Sequence, residues 1–163
     1  MSLSLIVAMT PKQIIGRKDT NAIPWKIKED MDLFRQITTG KTAIMGRNTW
    51  ESLPQKSRPL PNRDNLVVSK KIKSLLGAHV FPSYDAAVEY SEKLGKEAVV
   101  IGGVKLYAEA MQDFRLMNMY ISHIKEDYPG DVYFPEFSRM DWNVCEEKLF
   151  PEFIFRKYVR RLG

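Results

Sequence analysis

The chain has 163 residues, of which 44% are hydrophobic and 28% are charged, a balance typical of globular proteins and not of disordered ones. This length suits one domain, and we expect residues 1–163 to form it. The single cysteine, Cys145, excludes an internal disulfide, and two isolated histidines offer no metal-ligand cluster. The apolar run Leu3–Met9 lacks a basic leader and is too short to cross a bilayer. We therefore expect a cytoplasmic protein with no metal and no membrane partner.

The net charge of +5 makes an anionic partner plausible. A solvated basic face is the alternative. A nucleic-acid surface is disfavoured, because no recognised binding motif accompanies the charge. The excess lies partly in two groups of residues: Lys56, Arg58, Arg63, Lys70, Lys71 and Lys73, and then Arg156, Lys157, Arg160 and Arg161.

Short β-rich runs alternate with helical segments along most of the chain. Strands are predicted at residues 4–9, 43–45, 65–69, 79–81 and 98–101, and helices at 27–39, about 49–53, 84–94 after the cap Ser83, and 104–111. The later stretches 117–125, 142–149 and 153–159 predict an antiparallel edge, after a turn at 128–131 with Pro and Gly in type II order. The predicted fold is α/β, with a mainly parallel central sheet of about eight strands flanked by about four helices.

The polar segment 10–24 separates the first strand from the first helix. Fifteen residues without structure are unusual in so small a domain and are often a lid or binding loop. A solvated connector is the alternative interpretation.

Asp30 interrupts the apolar face of the first predicted helix. On a helical wheel Ile27, Met31, Leu33, Phe34 and Ile37 share one face, and Asp30 lies among them. A carboxylate without a partner is costly there. It either bonds a buried backbone or hydroxyl group, or it lines a cleft and meets a cationic or hydrogen-donating ring.

Two glycine-containing turns lead from a strand into a helix. Gly46-Arg47-Asn48-Thr49 and Ile101-Gly102-Gly103-Val104-Lys105 each offer free backbone N–H groups that can receive a phosphate. Each signal alone is weak, since ordinary tight connections look the same. Neither is the G-x-G-x-x-G fingerprint of dinucleotide-binding domains.

An ordered series of motifs resembles the dihydrofolate reductase family over essentially the whole chain. It comprises Leu5-Ile6-Val7-Ala8-Met9, Ile15-Gly16, Pro24-Trp25, Asp30 with Phe34, Ile44-Met45-Gly46-Arg47, Thr49-Trp50-Glu51-Ser52, Arg58-Pro59-Leu60-Pro61, Arg63 with Asn65, Ile101-Gly102-Gly103 with Tyr107, and Gly130-Asp131 with Phe134-Pro135.

The resemblance implies hydride transfer from NADPH to C6 of 7,8-dihydrofolate and protonation of N5, a reaction that supplies one-carbon metabolism. Asp30 would pair with N3 and the 2-amino group of the pterin. Ser122, where the family usually has threonine, would bond that carboxylate. Trp25 and Tyr107 complete the implied catalytic set.

The resemblance also implies the two binding sites. The substrate would contact Ile6, Val7, Ala8, Asp30, Met31, Phe34, Leu53, Leu60, Arg63, Ile101 and Ser122, with Arg63 on the glutamate α-carboxylate. The cofactor would contact Ala8, Ile15, Gly16, Gly46, Arg47, Asn48, Thr49, Ser69, Lys70, Ile101, Gly102, Gly103, Val104, Lys105, Leu106 and Tyr107. Family members carry a cis peptide between the two glycines, and antifolate inhibitors and a monomeric state are expected as well.

Departures from the family pattern concern the loops. Pro61-Asn62-Arg63 replaces the commoner bacterial Pro-Gly-Arg, and Val132 follows Gly130-Asp131 where a hydroxyl residue is common. Three alternatives stay open: a related pyrimidine reductase of riboflavin synthesis, a basic nucleic-acid-binding module and a binding-only protein. Trp25 with Asp30, Phe34 and Arg63 favours folate over the pyrimidine.

Overall fold

The computed structural model describes residues 2–20 and 22–162. Within these residues an eight-stranded sheet has the order β5-β4-β3-β6-β1-β7-β10-β9, and β2 pairs with β8 separately. The strands are β1 Leu3–Met9, β2 Ile14–Gly16, β3 Thr42–Gly46, β4 Asp64–Val68, β5 His79–Phe81, β6 Ala98–Gly102, β7 Leu116–Ile124, β8 Val132–Tyr133, β9 Trp142–Leu149 and β10 Phe153–Arg160. The helices are α1 Lys28–Thr38, α2 Arg47–Ser52, α3 Tyr84–Leu94 and α4 Val104–Met111, with 3-10 turns at Gln55–Ser57 and Arg139–Asp141.

The predicted architecture is confirmed. The six neighbouring strands β5, β4, β3, β6, β1 and β7 pair in parallel. Strand β10 runs antiparallel to both β7 and β9. The bounds of α3 and α4 agree with the sequence prediction. The Ser83 hydroxyl accepts the Ala86 N–H at 3.1 Å, and Gly95 ends α3 with φ 74°. Ser83 therefore caps the start of α3, and Gly95 ends the helix in a left-handed conformation.

Two predictions about the loops are wrong. Segment 10–24 is not structureless, because its strand β2 pairs with β8. The segment 128–131 is not a type II turn, which needs a positive φ at Gly130. Glycine is needed there for space, since a Cβ would lie 2.4 Å from Ile14 Cγ2 and 2.7 Å from the Gly16 carbonyl oxygen.

Helices cover both faces of the sheet. Side chains of α3 and α4 pack with Leu5 and Val7 of β1 on one face, and those of α1 pack with Ile6 on the other. This alternation along β1 follows from the two-residue period of a strand. In the described ranges, no helix has the length and apolar character needed to span a bilayer.

Strands β1 and β6 stop pairing before their carboxyl ends, and we call the space between those ends the crevice. Strand β1 pairs with β6 only from Leu3 to Leu5, but it pairs with β7 as far as Met9. After β1 the next strand of this sheet is β3, which lies on the far side of β6. After β6 the next strand is β7, which lies on the far side of β1. Ligands of open α/β sheets bind at such switch points.

Candidate active site

Asp30 and Ser122 meet on the α1 face of the sheet. Ser122 lies on β7 beside Ala8 of β1, and its Oγ donates to Asp30 Oδ1 at 2.6 Å. Asp30 is half-buried, as expected for a carboxylate among apolar positions. The predicted pairing of Asp30 with Ser122 is thus present in the structure.

The electrostatic surroundings of Asp30 are unusual for a carboxylate. Burial raises the pKa of Asp30, and the hydrogen bond from Ser122 offsets part of that rise. Asp30 has no cationic partner within 4 Å among the residues that the structure describes. A ligand that brings positive charge or N–H donors would stabilise its ionised form.

The indole N–H of Trp25 is a buried donor without an acceptor among the described residues. The residue is 4% exposed, and its indole Nε1 is buried with no hydrogen-bond acceptor in the described chain. Tyr128 packs on the indole with ring centroids 5.7 Å apart. Buried indole N–H groups normally find an acceptor, so this one is available to a ligand or a water.

The apolar residues that we expect to contact the substrate differ in their exposure to solvent. Ile6 is buried, while Ala8, Phe34 and Ile101 are partly buried on the same face, and Leu53 and Leu60 pack beside α2. Met31 is 55% exposed, so this member of the apolar face of α1 does not pack in the core. The side chain of Val7 packs on the opposite face, which leaves only its main chain near the crevice.

Arg63 is held by two acceptors. Its Nε donates to the Pro61 carbonyl and its Nη1 to the hydroxyl of Thr38, both at 2.9 Å. Asn62 adopts φ 59°, a left-handed conformation that asparagine tolerates and that glycine also takes. Asn62, which stands where Pro-Gly-Arg sequences have glycine, therefore adopts a backbone conformation that glycine can also adopt.

Arg63 has no acidic partner within 4 Å in the described parts of the chain. Burial lowers its pKa, and the positive charge of Arg35 lowers it further. Arg35 is itself paired with Asp32 at 3.2 Å, so Arg63 is the group of the two that an anion can still neutralise, and the planar fork of arginine suits a carboxylate.

At the end of β6, the main chain of Gly102 lies close to the side chain of Thr49. The Gly102–Gly103 peptide is cis, as the family resemblance predicted, and Gly102 has φ 141°. A Cβ on Gly102 would lie 2.9 Å from Thr49 Oγ1 and 3.7 Å from the Tyr107 hydroxyl. This backbone position therefore excludes larger residues.

Tyr107 links the two halves of the crevice. Its hydroxyl donates to the Ile6 carbonyl at 2.7 Å, and burial raises its pKa, so it remains a neutral donor. Ile6 and Ala8 share the face of β1 that also carries the Asp30 and Ser122 pair. Substrate-side and cofactor-side candidates thus meet at β1.

Adjacent strand ends bring the predicted phosphate-binding residues together. Gly46 of β3 lies beside Val68 of β4, and Met45 lies beside Gly102 of β6. This register sets three segments side by side, namely Ser69 and Lys70, Gly46 to Thr49, and Gly102 to Lys105. Neither α2 nor α4 has a side-chain cap, so their first N–H groups remain free.

The charged and apolar members of this group differ in their contacts. Arg47 has a long contact of 3.5 Å with Glu51, while Lys70 and Lys105 have no acidic partner in the described ranges. Ser69 Oγ accepts the Ile72 N–H at 3.1 Å. Other members are exposed (Asn48, Val104) or packed in the core (Leu106).

The loop after β1 is fastened to the segment before β8. The Asp131 carboxylate accepts the Lys18 N–H at 2.8 Å, and the Asp131 N–H donates to the Gly16 carbonyl at 3.2 Å. Ile15 packs partly buried against the core. Gly16 and Lys18 are therefore held by Asp131, which lies more than 110 positions away in the sequence.

Sequence reasoning missed Thr38 and Tyr128. Thr38 follows Asp30 and Phe34 at intervals of four, so helical periodicity was a usable signal for it. Tyr128 lies in an irregular segment and gave no such signal. No group of metal-ligating side chains occurs within residues 2–20 and 22–162.

Comparisons with known proteins show the family of this chain. A sequence model of the family described as dihydrofolate reductase matches residues 2–158. Dihydrofolate reductase type 3 from Salmonella typhimurium is 38% identical, over 93% of this chain and 89% of that protein. The dihydrofolate reductase of Buchnera aphidicola subsp. Acyrthosiphon pisum is 39% identical over 84% of this chain and 81% of its own length, and that of Schistosoma mansoni is 34% identical over 93% and 86%. This chain therefore belongs to the dihydrofolate reductase family.

Proposed function

We propose that this protein reduces 7,8-dihydrofolate to 5,6,7,8-tetrahydrofolate with NADPH. The observation that carries the proposal is the half-buried carboxylate of Asp30, which has Ser122 as its hydrogen-bond donor and has no cation beside it. Such a group is poorly satisfied in the free protein. A pterin that presents N3–H and a 2-amino group offers the two donors that a carboxylate accepts.

Asp30 fixes the ring and favours its protonation. A negative charge in a water-poor cleft stabilises a positive charge on the pterin more strongly than water does. Ser122 orients the carboxylate, because its hydroxyl is bonded to Oδ1. The second oxygen, Oδ2, is then free to accept from the substrate.

Trp25 and Tyr107 support the reacting ring in different ways. Trp25 Nε1 is a buried donor with no acceptor, and we assign it to a ligand group or to a water near N5. Tyr107 holds the Ile6 carbonyl, which fixes the main chain of β1 at the crevice. Neither side chain supplies a charge, in keeping with their role as donors.

Arg63 receives the glutamate α-carboxylate. Its guanidinium has N–H donors to spare and no acidic partner among the described side chains, and Arg35 adds positive potential. The ligand carboxylate would complete this cluster. Because the glutamate tail lies away from the reacting ring, Arg63 serves binding more than chemistry.

The residues at the ends of β3, β4 and β6 fit NADPH. Gly102 cannot carry a Cβ beside Thr49, α4 begins without a side-chain cap, and Lys70 and Lys105 are unpaired within the described segments. The bound cofactor supplies the hydride that C6 of the substrate receives. Arg47 and Lys70 are assigned to the 2′-phosphate, and backbone N–H groups at Gly103 to Lys105 to the pyrophosphate.

The remaining proposals concern the molecule as a whole. Residues 1–163 act as one domain, the protein is a monomer, and it works in the cytoplasm, which the single exposed Cys145 supports. Antifolates with a cationic 2-amino ring are expected to pair with Asp30. Light scattering, cell fractionation and inhibitor titration test these statements separately.

The decisive assay follows NADPH absorbance with dihydrofolate, in the presence of the purified protein or of its Asp30→Asn variant. Loss of absorbance that requires both the substrate and Asp30 supports the proposal. A folded protein that leaves NADPH unchanged over a wide range of dihydrofolate concentrations would refute it.

A further inference from the structure

Thr38 is a buried hydroxyl at the end of α1 with two partners. The residue is 1% exposed, and its Oγ1 donates to the Phe34 carbonyl at 2.8 Å. A hydroxyl has one hydrogen, which that bond uses. The lone pairs of Oγ1 therefore remain for Arg63, whose Nη1 donates to it at 2.9 Å.

These contacts constrain the plane of the Arg63 guanidinium. The Pro61 carbonyl accepts from Nε at 2.9 Å, so Nε and Nη1 are each fixed by one acceptor. A guanidinium carries five N–H donors in a plane, which leaves three. The remaining donors lie on Nη1 and Nη2, so one edge of the fork is still able to bind a carboxylate with two parallel hydrogen bonds.

The segments that carry these acceptors are tied together. The Asn62 carbonyl accepts the Gly40 N–H at 2.8 Å, and the Thr38 carbonyl accepts the Lys41 N–H at 3.1 Å. The loop after α1 and the loop before β4 thus form one unit around Arg63. A long side chain that is already ordered loses less entropy when it binds a ligand.

We propose that Thr38 is a positioning residue for substrate affinity, which acts by holding the Nη1–Nη2 edge of Arg63 towards the carboxylate of the substrate. This inference rests on the proposed function, since it takes a folate tail as the ligand. Thr38 itself does not touch the substrate.

The chain offers a matched control for Thr38. Thr39 is exposed, and its Oγ1 donates to the Arg35 carbonyl at 2.6 Å, the same kind of bond to the preceding turn of helix. Among the described residues, the Thr39 hydroxyl makes no hydrogen bond with Arg63. Thr38→Val and Thr39→Val therefore each remove one such bond, but only the first removes an acceptor from Arg63.

We expect Thr38→Val to raise KM for dihydrofolate by about 3- to 30-fold with little change in kcat, the scale of one lost hydrogen bond to a charged group. Thr39→Val leaves KM unchanged, and Thr38→Ser restores it because serine keeps the hydroxyl. With a dihydropterin that lacks the benzoylglutamate tail, Thr38→Val and the parent have the same KM. In an Arg63→Leu background, Thr38→Val adds no further increase.

The dissociation constant for folate, measured by tryptophan fluorescence, separates this inference from the proposed function. If the parent binds folate and Thr38→Val weakens that binding through Arg63, the inference holds even without turnover. It is overturned if the parent does not bind folate, if Thr38→Val binds folate as the parent does, or if its effect persists in full in Arg63→Leu. Equal losses with the tailless dihydropterin would also overturn it.

Discussion

Asp30 and Glu97 are two carboxylates that the same sheet treats differently. Each accepts a hydrogen bond from a serine of the sheet, Asp30 from Ser122 at 2.6 Å and Glu97 from Ser4 at 2.5 Å. Glu97 also has Lys41 at 3.0 Å and the Tyr120 hydroxyl at 2.9 Å.

Their pKa values move in opposite directions. Burial raises the pKa of both groups, but at Glu97 the hydrogen bonds and the Lys41 charge outweigh it, so the pKa of Glu97 is lowered. At Asp30 the serine alone is not enough, and the pKa stays raised. Glu97 has a cationic partner in the protein and Asp30 has none. Asp30 is therefore the carboxylate that a bound ligand can pair with.

The largest expected effect comes from removing the Asp30 charge. Asn keeps the shape and can still accept from Ser122, but it does not favour a protonated pterin. Asp30→Asn should lose about 10²- to 10⁴-fold in kcat/KM near neutral pH, the usual scale of acid–base catalysis. Steady-state kinetics with dihydrofolate measure this loss.

A pH series distinguishes lost charge from damaged structure. Activity of Asp30→Asn should recover partly at lower pH, because solvent then protonates the substrate that Asp30 no longer helps to protonate. A variant whose pH profile matches that of the parent, with only a lower melting temperature, would indicate a structural role.

The second effect concerns Arg63, a cation without an acid and so the counterpart of Asp30. Arg63→Leu should raise KM for dihydrofolate by about 10- to 100-fold, with a smaller change in kcat. The measurement is a full kinetic comparison. A collapse of kcat at constant KM would show that Arg63 acts in the chemical step.

A third effect tests Arg47, whose contact with Glu51 is long and partly exposed. If Arg47 binds the 2′-phosphate, Arg47→Ala should reduce the preference for NADPH over NADH by about 1–3 kcal/mol. The ratio of kcat/KM values for the two cofactors reports it. An unchanged ratio would remove Arg47 from the 2′-phosphate site.

The fourth effect is on stability, where Glu97 serves as the control for Asp30. Glu97→Gln removes the pairing with Lys41 and should lower the free energy of unfolding by about 1–2 kcal/mol, without changing kcat/KM of the folded enzyme. Urea denaturation measures the loss. A catalytic defect in this variant would contradict the division between the two carboxylates.

The smallest effect is the opposite pH dependence of these stabilities. Because the pKa of Asp30 is raised in the folded protein, its stabilising contribution to the free energy of unfolding is present below its ordinary pKa of 3.8. That contribution is lost as pH rises and the buried carboxylate ionises. The lowered pKa of Glu97 means that its contribution is present above 4.5 and is lost as pH falls.

At neutral pH, Asp30→Asn should therefore melt about 1–3 °C above the parent and Glu97→Gln below it, and both differences should shrink in acid. Melting curves between pH 3 and pH 7.5 check the signs. If Asp30→Asn melts below the parent at neutral pH, the cost assigned to the unpaired carboxylate is absent.

Much of this site is readable from local pattern. A carboxylate that interrupts an apolar helical face indicates Asp30, and the cap Ser83 predicts the start of α3. The pairing of β2 with β8 was missed because such short strands are specified by a distant partner and not by their own residues. The type II turn at Gly130 was predicted wrongly for the same reason, because glycine is required there by contact with Ile14 and Gly16.

Met31 and Thr38 show the limit of a helical wheel. Both lie on or near the predicted apolar face, yet Met31 is exposed and Thr38 is buried. A wheel gives direction from the helix axis but not how far the neighbouring elements extend. The contact of Thr38 with Arg63 joins residues 25 positions apart and needed the fold.

The most direct measurement is the titration of the Asp30 carboxyl carbon by NMR, in the free protein and with a bound ligand that carries a protonated 2,4-diaminopyrimidine ring. The free protein should show a pKa above the ordinary value of 3.8, because burial is opposed only by Ser122. The bound ligand should lower that pKa by supplying the missing positive charge. An Asp30 that titrates at its ordinary pKa in both states would contradict the conclusion that its charge is left for the substrate to balance.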